Sequence, residues 1–494
     1  MPLGSDGSVH AAVVDVGSNS VRLVLYRLEG AAIWTVYNEK VLAGLGRDLP
    51  ETGRLSEPGA VQALAALRRF AAVLESAQPD RLHIAATAAV REASDGLEFA
   101  ERVAAETGLH IDILSGEAEA RAAAWGVRAG DPRACGLVAD LGGSSLELIE
   151  LTDEGPRGGA TLPLGPFALP EGLDDDGVRD HILGRLKDAP LHRGDTLIAV
   201  GGAWRSLAQF HMERTSHPLR IVHQYELPAA EMLDTARLVA GLSPASLERS
   251  PGVTRRRAPT LPHAAVVLEA LTEHFGISRM VFSAFGLREG LLYQAMDEAT
   301  RGQDPLLAGA AALGRRQGAA ENLGRALIGW IGEAFRELPP AFGADEDRRL
   351  VEAACLLSDV GARLHPDHRA DMVHEQVLRA PIPGQTHAER AFLAAALNAR
   401  YGGPSATPWP EGHARLLAQE RRHRARTLGL ALRLGCDLSG RSASLLAQAR
   451  LSIGDEVVLR AARGFADVLL GEQTTRRAEA LARHLELKLK MEVA

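Results

Sequence analysis

Cysteine is nearly absent from this 494-residue chain: Cys135, Cys355 and Cys436 are scattered and odd in number. That excludes a disulfide framework or zinc knuckle and fits a reducing compartment. No run of about 18 apolar residues occurs, so no membrane-spanning helix and no membrane partner are expected. The first ten residues, MPLGSDGSVH, lack the basic and apolar regions of a signal peptide, and a cytoplasmic location is expected. Lysine is scarce too, only Lys40, Lys187, Lys488 and Lys490, so almost all positive charge is arginine. Arginine offers planar, bidentate hydrogen bonding to phosphate. Arginine-favouring codon usage explains its amount but not clusters such as Arg255-Arg256-Arg257 or RRHRAR at 421–426. The net charge of −8 does not mark a general polyanion binder, and no nucleic-acid partner is expected.

What is present is a device used twice. Residues 13–24 read VVDVGSNSVRLV and residues 138–149 read VADLGGSSLELI, with their aspartates 125 positions apart. Each is an apolar strand entering Asp, a Gly/Ser/Asn turn and a second alternating strand. Such turns aim backbone N–H groups at a common point, because Gly tolerates the required φ values and Ser and Asn add short donors. Beside a carboxylate, that donor set suits a phosphate carrying a divalent cation. Two copies facing each other would hold it from both sides.

Around these turns strands and helices alternate. SEPGAVQALAALRRFAAVLESAQ (56–78) reads as an amphipathic helix, RLHIAAT (81–87) as a strand, and AAVREASDGLEFAERVAAETG as helical. IDILS (111–115) reads as a strand opening directly into a helix. TLIAV (196–200) runs into Gly201-Gly202, and RMVFSAF (279–285) into Gly286 and a helix. This spacing predicts parallel or mixed sheets covered by helices, with sites at the carboxyl ends of strands. After about residue 302 the chain is Ala/Leu/Arg-rich and helical. Its last 55 or so residues turn mixed, with ARLSIGDEVVLRAA strand-like and RRAEALARHLELKLKMEV helical. The expected domains are 1–125, 126–302, 303–438 and 439–494.

VDVGSNSVRL, ATAAVREA, SGEAEAR, DLGGSSLEL, VGGAWRSLA and FGLREGLL, in that order over about 290 residues, together resemble the exopolyphosphatase / guanosine-pentaphosphate phosphatase family. The resemblance implies an α/β fold of duplicated actin-like ATPase (ribonuclease H-like) domains. It also implies an all-helical HD-like accessory domain, a small C-terminal α+β segment and a homodimer.

By the same resemblance the catalytic base falls on Glu119, where the helix dipole is expected to keep the carboxylate ionised. Asp140 and Glu147 fall at the metal, with Mg²⁺ as cofactor, and Asp15 is placed to hold a metal-bound water. Gly17, Ser18, Asn19, Ser20 and Arg22 face Gly142, Gly143, Ser144 and Ser145 as phosphate donors. Thr87 and Arg91, and Gly201 and Gly202, sit at further strand-to-helix turns. Ser144, Leu146, Ala88 and Ala203-Trp204 depart from the family's usual residues. In CLLSDVGARLHPDH the His-Asp pair of HD enzymes is lost to Ser358-Asp359, so a non-catalytic domain is expected.

The expected activity is Mg²⁺-dependent release of orthophosphate from the end of inorganic polyphosphate. Arg255, Arg256, Arg257, Arg415, Arg421, Arg422, Arg424 and Arg426 are candidates for a track along the polymer. Guanosine-pentaphosphate 5′-phosphohydrolysis is the alternative, with Trp204 offering base stacking. An actin-fold kinase or ATPase, or an inactive polyphosphate sensor, are further alternatives. For the first no adenosine pocket is evident, and against the second stand Glu119, Asp140 and Glu147.

Overall fold

The duplication in the sequence recurs in the sheets. The computed structural model describes residues 8–170, 175–187, 189, 191, 194–317, 321–404 and 409–493. The chain divides into two compact units, Met1–Pro305 and Leu306–Ala494. In the first unit, β1 (Val9–Val16), β2 (Val21–Glu29) and β3 (Ala32–Val41) form an antiparallel meander. β4 (Arg81–Ala86) and β5 (Asp112–Ile113) join it in parallel, giving the order β3-β2-β1-β4-β5. A second meander follows from β6 (Gly136–Leu141), β7 (Leu146–Thr152) and β8 (Gly155–Leu162). Here β9 (Thr196–Val200) and β11 (Arg279–Phe282) take the parallel places, and β10 (Tyr225–Pro228) adds an antiparallel edge. The second order is β10-β11-β9-β6-β7-β8.

Central strands of such sheets are covered on both faces and therefore lose polar alternation. β1 shows it, with Ala11, Ala12, Val13 and Val14 all buried. The helix Glu57–Ala77 lays Ala63, Leu67, Phe70 and Leu74 on one face, at three- and four-residue spacing, into the core holding Val14 and Leu23. A second core gathers Trp204, Leu207, Leu268 and Phe282.

The helices Gly116–Gly130 and Leu287–Gln294 follow β5 and β11 and cross each other at backbone contact. A Cβ on Gly126 would overlap the carbonyl of Gly286, and one on Gly290 that of Ala122. No helix among the described residues is long and apolar enough to cross a membrane.

Local expectations fail at three places. The stretch 88–108 is two helices, Ala88–Glu92 and Gly96–Thr107, because Gly96 packs against the Val90 carbonyl, where a Cβ would collide. IDILS forms only the two-residue β5, after which Leu114 N–H still reaches Ala86 O at 2.9 Å. KLKMEV is a strand rather than the end of a helix. The helix Glu472–Leu485 stops at Glu486, whose φ of 58° reverses the chain. β14 (Lys488–Val493) then pairs in parallel with β13 (Glu456–Ala461), itself antiparallel to β12 (Ala449–Ile453).

The remainder of the second unit is helical and includes Arg369–Arg379, His387–Arg400 and Gln419–Leu438. Asp359 is buried there and committed to arginine: Arg441 Nε donates to it at 2.9 Å, and Arg400 lies 3.9 Å away. His374 and His413 pair with each other at 2.6 Å, whereas His365 and His368 are exposed.

Candidate active site

The two turns match bond for bond. Gly17 N–H donates to Ser20 O at 3.0 Å, and Gly142 N–H to Ser145 O at 2.9 Å. Each turn is braced by the segment that follows its third strand. In the first, Gly46 N–H donates to Ser18 O at 2.8 Å and Gly44 N–H to Asn19 O at 3.1 Å. In the second, Phe167 N–H donates to Gly143 O at 2.9 Å and Gly165 N–H to Ser144 O at 3.1 Å. The braced residues are separated by the same 125 positions as the aspartates. With the carbonyls drawn back, the N–H groups of Ser18, Asn19, Gly143 and Ser144 have no protein acceptor among the described residues. The turns also touch: a Cβ on Gly143 would stand 3.2 Å from Ser18 Cβ.

Between them opens a cleft of about 180 Å³. Asp15, Gly17, Ser18, Asn19, Ser20, Arg22, Thr87, Glu119, Asp140, Gly142, Gly143, Ser145, Glu147, Gly201, Gly202 and Arg257 line it, all named from the sequence. Ser144 stands behind the wall, buried, its hydroxyl unpartnered beside Gly46. Asp15 pairs with Arg22 across β1 and β2, and Asp140 with Glu147 across β6 and β7. The pairing continues outward from Arg22 to Lys40 on one side and from Glu147 to Thr161 on the other.

Glu119 enters from the first turn of the helix Gly116–Gly130, whose N-cap Ser115 accepts from Ala118 N–H at 3.1 Å. Its Oε2 accepts from Arg91 Nη1 at 2.8 Å, and the same nitrogen donates to Leu114 O at 3.0 Å. Arg91, expected among the phosphate ligands, therefore stands behind Glu119 as its clamp and is not part of the cleft lining. The expectation that the helix dipole keeps Glu119 readily ionised is also corrected. Burial lifts its carboxyl to about 7, against the opposing pull of Arg91 and with Asp140 and Asp15 adding to the rise. Burial likewise raises Asp140 to about 6, raises Asp15, and raises Glu147 well above the carboxylate range.

Other arginines divide. Arg257 lies over Gly202, while Arg255 and Arg256 are exposed and outside the lining. In the second unit Arg424 is buried, bonded to Asp347 at 3.1 Å and set over the Phe335 ring, so it is not a surface contact for a polymer. Arg421 donates to Ala341 O at 3.0 Å over Phe342, and Arg422 is exposed. Trp204 is corrected as a stacking platform: it is fully buried and its Nε1 donates to Ala264 O at 2.8 Å.

Three lining cations went unnamed as site residues: Lys40, Arg205 and Arg288. Arg205 and Arg288 lay inside the quoted segments VGGAWRSLA and FGLREGLL. Their position in the first turn after a strand was the available signal. Arg205 N–H donates to Gly201 O as Arg91 N–H does to Thr87 O, so the two arginines are counterparts. Burial lowers Arg205 to about 10 and Lys40 to about 8.

The donor set decides which metal fits. The cleft's candidate metal ligands, Asp15, Glu119, Asp140 and Glu147, are oxygen donors, and the cysteines are elsewhere, Cys135 exposed and Cys355 and Cys436 buried. Glu147 Oε1 is buried with no hydrogen-bond partner among the described residues. Nor do three acidic, imidazole or thiol groups among the described residues converge there as a protein-only cage. An oxygen-seeking ion that takes one or two carboxylates and completes its shell with water and phosphate fits these residues.

A family model described as the Ppx/GppA phosphatase family matches residues 24–299, and one described as exopolyphosphatase, C-terminal, matches residues 307–491. Exopolyphosphatase 1 of Mycobacterium tuberculosis is 28% identical over 307 residues, covering 59% of this chain and 89% of that protein. The guanosine-5′-triphosphate,3′-diphosphate pyrophosphatase of Aeromonas hydrophila is 26% identical over 412 residues, covering 78% and 79%. Among solved structures, the Aquifex aeolicus member of the Ppx/GppA family aligns with a TM-score of 0.51 at 26% identity, covering 58% of this chain and 96% of its own. A Cytophaga hutchinsonii exopolyphosphatase, at 20% identity and a TM-score of 0.53 over 60% and 100%, shares the fold. With its duplicated sheets and paired turns, the chain belongs to the Ppx/GppA phosphatase family and is a phosphoanhydride hydrolase.

Proposed function

We propose that the chain is an exopolyphosphatase that removes orthophosphate from the end of inorganic polyphosphate, with Glu119 as general base. The observation carrying this is the convergence of two matching turns, their free N–H groups and a clamped carboxylate on one small cleft. In such reactions positioning and charge stabilisation supply most of the rate. The water oxygen bonds to the terminal phosphorus while the bond to the bridging oxygen breaks. The electron pair stays on the new end of the shortened chain, and the water proton passes to Glu119. A carboxyl lifted to about 7 by burial is a better proton acceptor than an exposed one. Arg91 fixes its direction. Gly17–Ser20 and Gly142–Ser145 bind the phosphate oxygens through N–H and hydroxyl groups. Asp140 and Glu147 would hold Mg²⁺, with Asp15 on a water of its shell. The ion, when bound, neutralises developing charge on the phosphoryl oxygens.

The match of residues 307–491 to the C-terminal exopolyphosphatase model favours the polymer. The Aeromonas relative, similar over 412 residues, supports a second reading, hydrolysis of guanosine pentaphosphate. Buried Trp204 supplies no base platform for it.

Phosphate release from long polyphosphate, from guanosine pentaphosphate and from ATP, each with and without Mg²⁺, tests the substrate. Glu119→Gln tests the base, with kcat expected to fall about 10³-fold while polymer affinity persists. Unchanged turnover in that variant would remove Glu119 from its role.

A further inference from the structure

Arg288 stands in the cleft wall, yet its guanidinium has no hydrogen-bond or ion-pair partner among the described residues. It is the second residue of the helix Leu287–Gln294, which crosses the helix of Glu119 at backbone contact. The adjacent Glu289 is the obvious partner, but both its oxygens are taken. One accepts from Gly286 N–H at 3.0 Å, and the other from the Tyr26 hydroxyl at 2.6 Å. Tyr26 lies on β2, four residues beyond Arg22 and on the same strand face. Tyr26 and Glu289 are both buried, so their bond joins the first sheet to the helix that follows the second. Glu289 acts on Arg288 through its charge but spends its oxygens on Gly286 and Tyr26, and the guanidinium is left to the cleft. There the charge of Glu289 acts on it first, and those of the two turn aspartates, Asp15 and Asp140, add to it. A half-buried guanidinium without a protein acceptor is a costly arrangement unless an anion completes it.

We propose that Arg288 is a catalytic residue whose guanidinium binds the equatorial oxygens of the phosphoryl group under attack, and that Tyr26 and Glu289 are its positioning pair. The proposal rests on the phosphoryl-transfer reading above and adds to it the group that stabilises the transferred PO₃. Arg288 gives and takes no proton. Its planar fork meets oxygens whose charge grows as the bridge breaks, so its contribution falls on kcat more than on KM. Arg205 and Arg257 do not share this placement: Arg205 donates to Ala284 O at 3.4 Å, and Arg257 lies over Gly202.

The test uses the full-length chain with Mg²⁺ and measures steady-state phosphate release from polyphosphate, alongside thermal melting. Arg288→Ala should lower kcat about 10³-fold. Arg288→Lys should recover little of it, because an ammonium cannot reproduce the fork. Added guanidinium ion should restore part of the Arg288→Ala rate at concentrations that leave the melting curve unchanged. Tyr26→Phe should lower kcat about tenfold, the order of one hydrogen bond to a charged group, and cost nothing further on top of Arg288→Ala. If Arg288 served only to offset the charge of Asp15 and Asp140, its loss would be recovered at raised pH; that recovery, or an unchanged kcat, overturns the proposal. Should Arg288→Ala fail to fold, Arg288→Lys and Tyr26→Phe decide alone, and wild-type turnover in both would overturn it. A wild-type chain inert on polyphosphate and guanosine pentaphosphate defeats the underlying reading, and this proposal with it. Collapse in Glu119→Gln beside normal turnover in Arg288→Ala defeats this proposal alone.

Discussion

The turns at 17–20 and 142–145 share their hydrogen bonds to within about 0.1 Å and differ in the charges across their strands. From the first aspartate outward the residues are Asp15, Arg22 and Lys40; from the second, Asp140, Glu147 and Thr161. One backbone solution thus carries cationic side chains on one side and acidic ones on the other, as the proposed anion cradle and cation seat would require. Duplication supplies two-sided geometry, and a few side chains supply the asymmetry that a phosphate–metal pair needs.

The comparison breaks most severely if the second turn is made like the first. Glu147→Arg should abolish Mg²⁺-supported phosphate release, and Glu147→Gln should raise the Mg²⁺ concentration for half-maximal rate at least about 100-fold. A magnesium titration of each variant checks this, and an unchanged requirement would take Glu147 out of the metal seat. Making the first turn like the second should do less. Arg22→Glu is expected to raise KM for polyphosphate about tenfold or more, with a smaller change in kcat, because one phosphate contact is replaced by a repulsive charge.

The smallest effect is a pH dependence. Burial brings Lys40 to about 8, with Arg257, Arg22 and Arg205 pulling the same way and Asp15 opposing. Lys40 is therefore charged below about 8 and loses its proton as pH rises above it, so KM should climb by a few-fold between pH 7.5 and 9. Lys40→Arg stays charged and should flatten that rise; a slope unchanged in this variant would assign it to another group.

Much of this site was legible because short turns carry local chemistry. Asp15, Asp140 and their Gly/Ser neighbours are found by composition alone, since the turn requires those residues wherever it sits. Arg205 and Arg288 gave only the weak signal of standing in the first turn after a strand, where an arginine looks the same whether it faces solvent or a cleft. Arg424 and Trp204 failed the other way. A basic run does not reveal which member Asp347 will bury, and an indole beside a glycine turn does not show that Ala264 will accept its N–H. KLKMEV was misread because a helix-breaking positive φ at Glu486 carries no glycine to announce it.

The crossing of the two central helices has a further consequence. Because Gly126 and Gly290 let main chain lie directly on main chain, Glu119 on one helix and Arg288 on the other share a single stiff mount. Motion of the surrounding sheets would then alter the width of the cleft without altering the spacing of these two residues. That spacing is set by hydrogen atoms standing where side chains would otherwise wedge the mount apart.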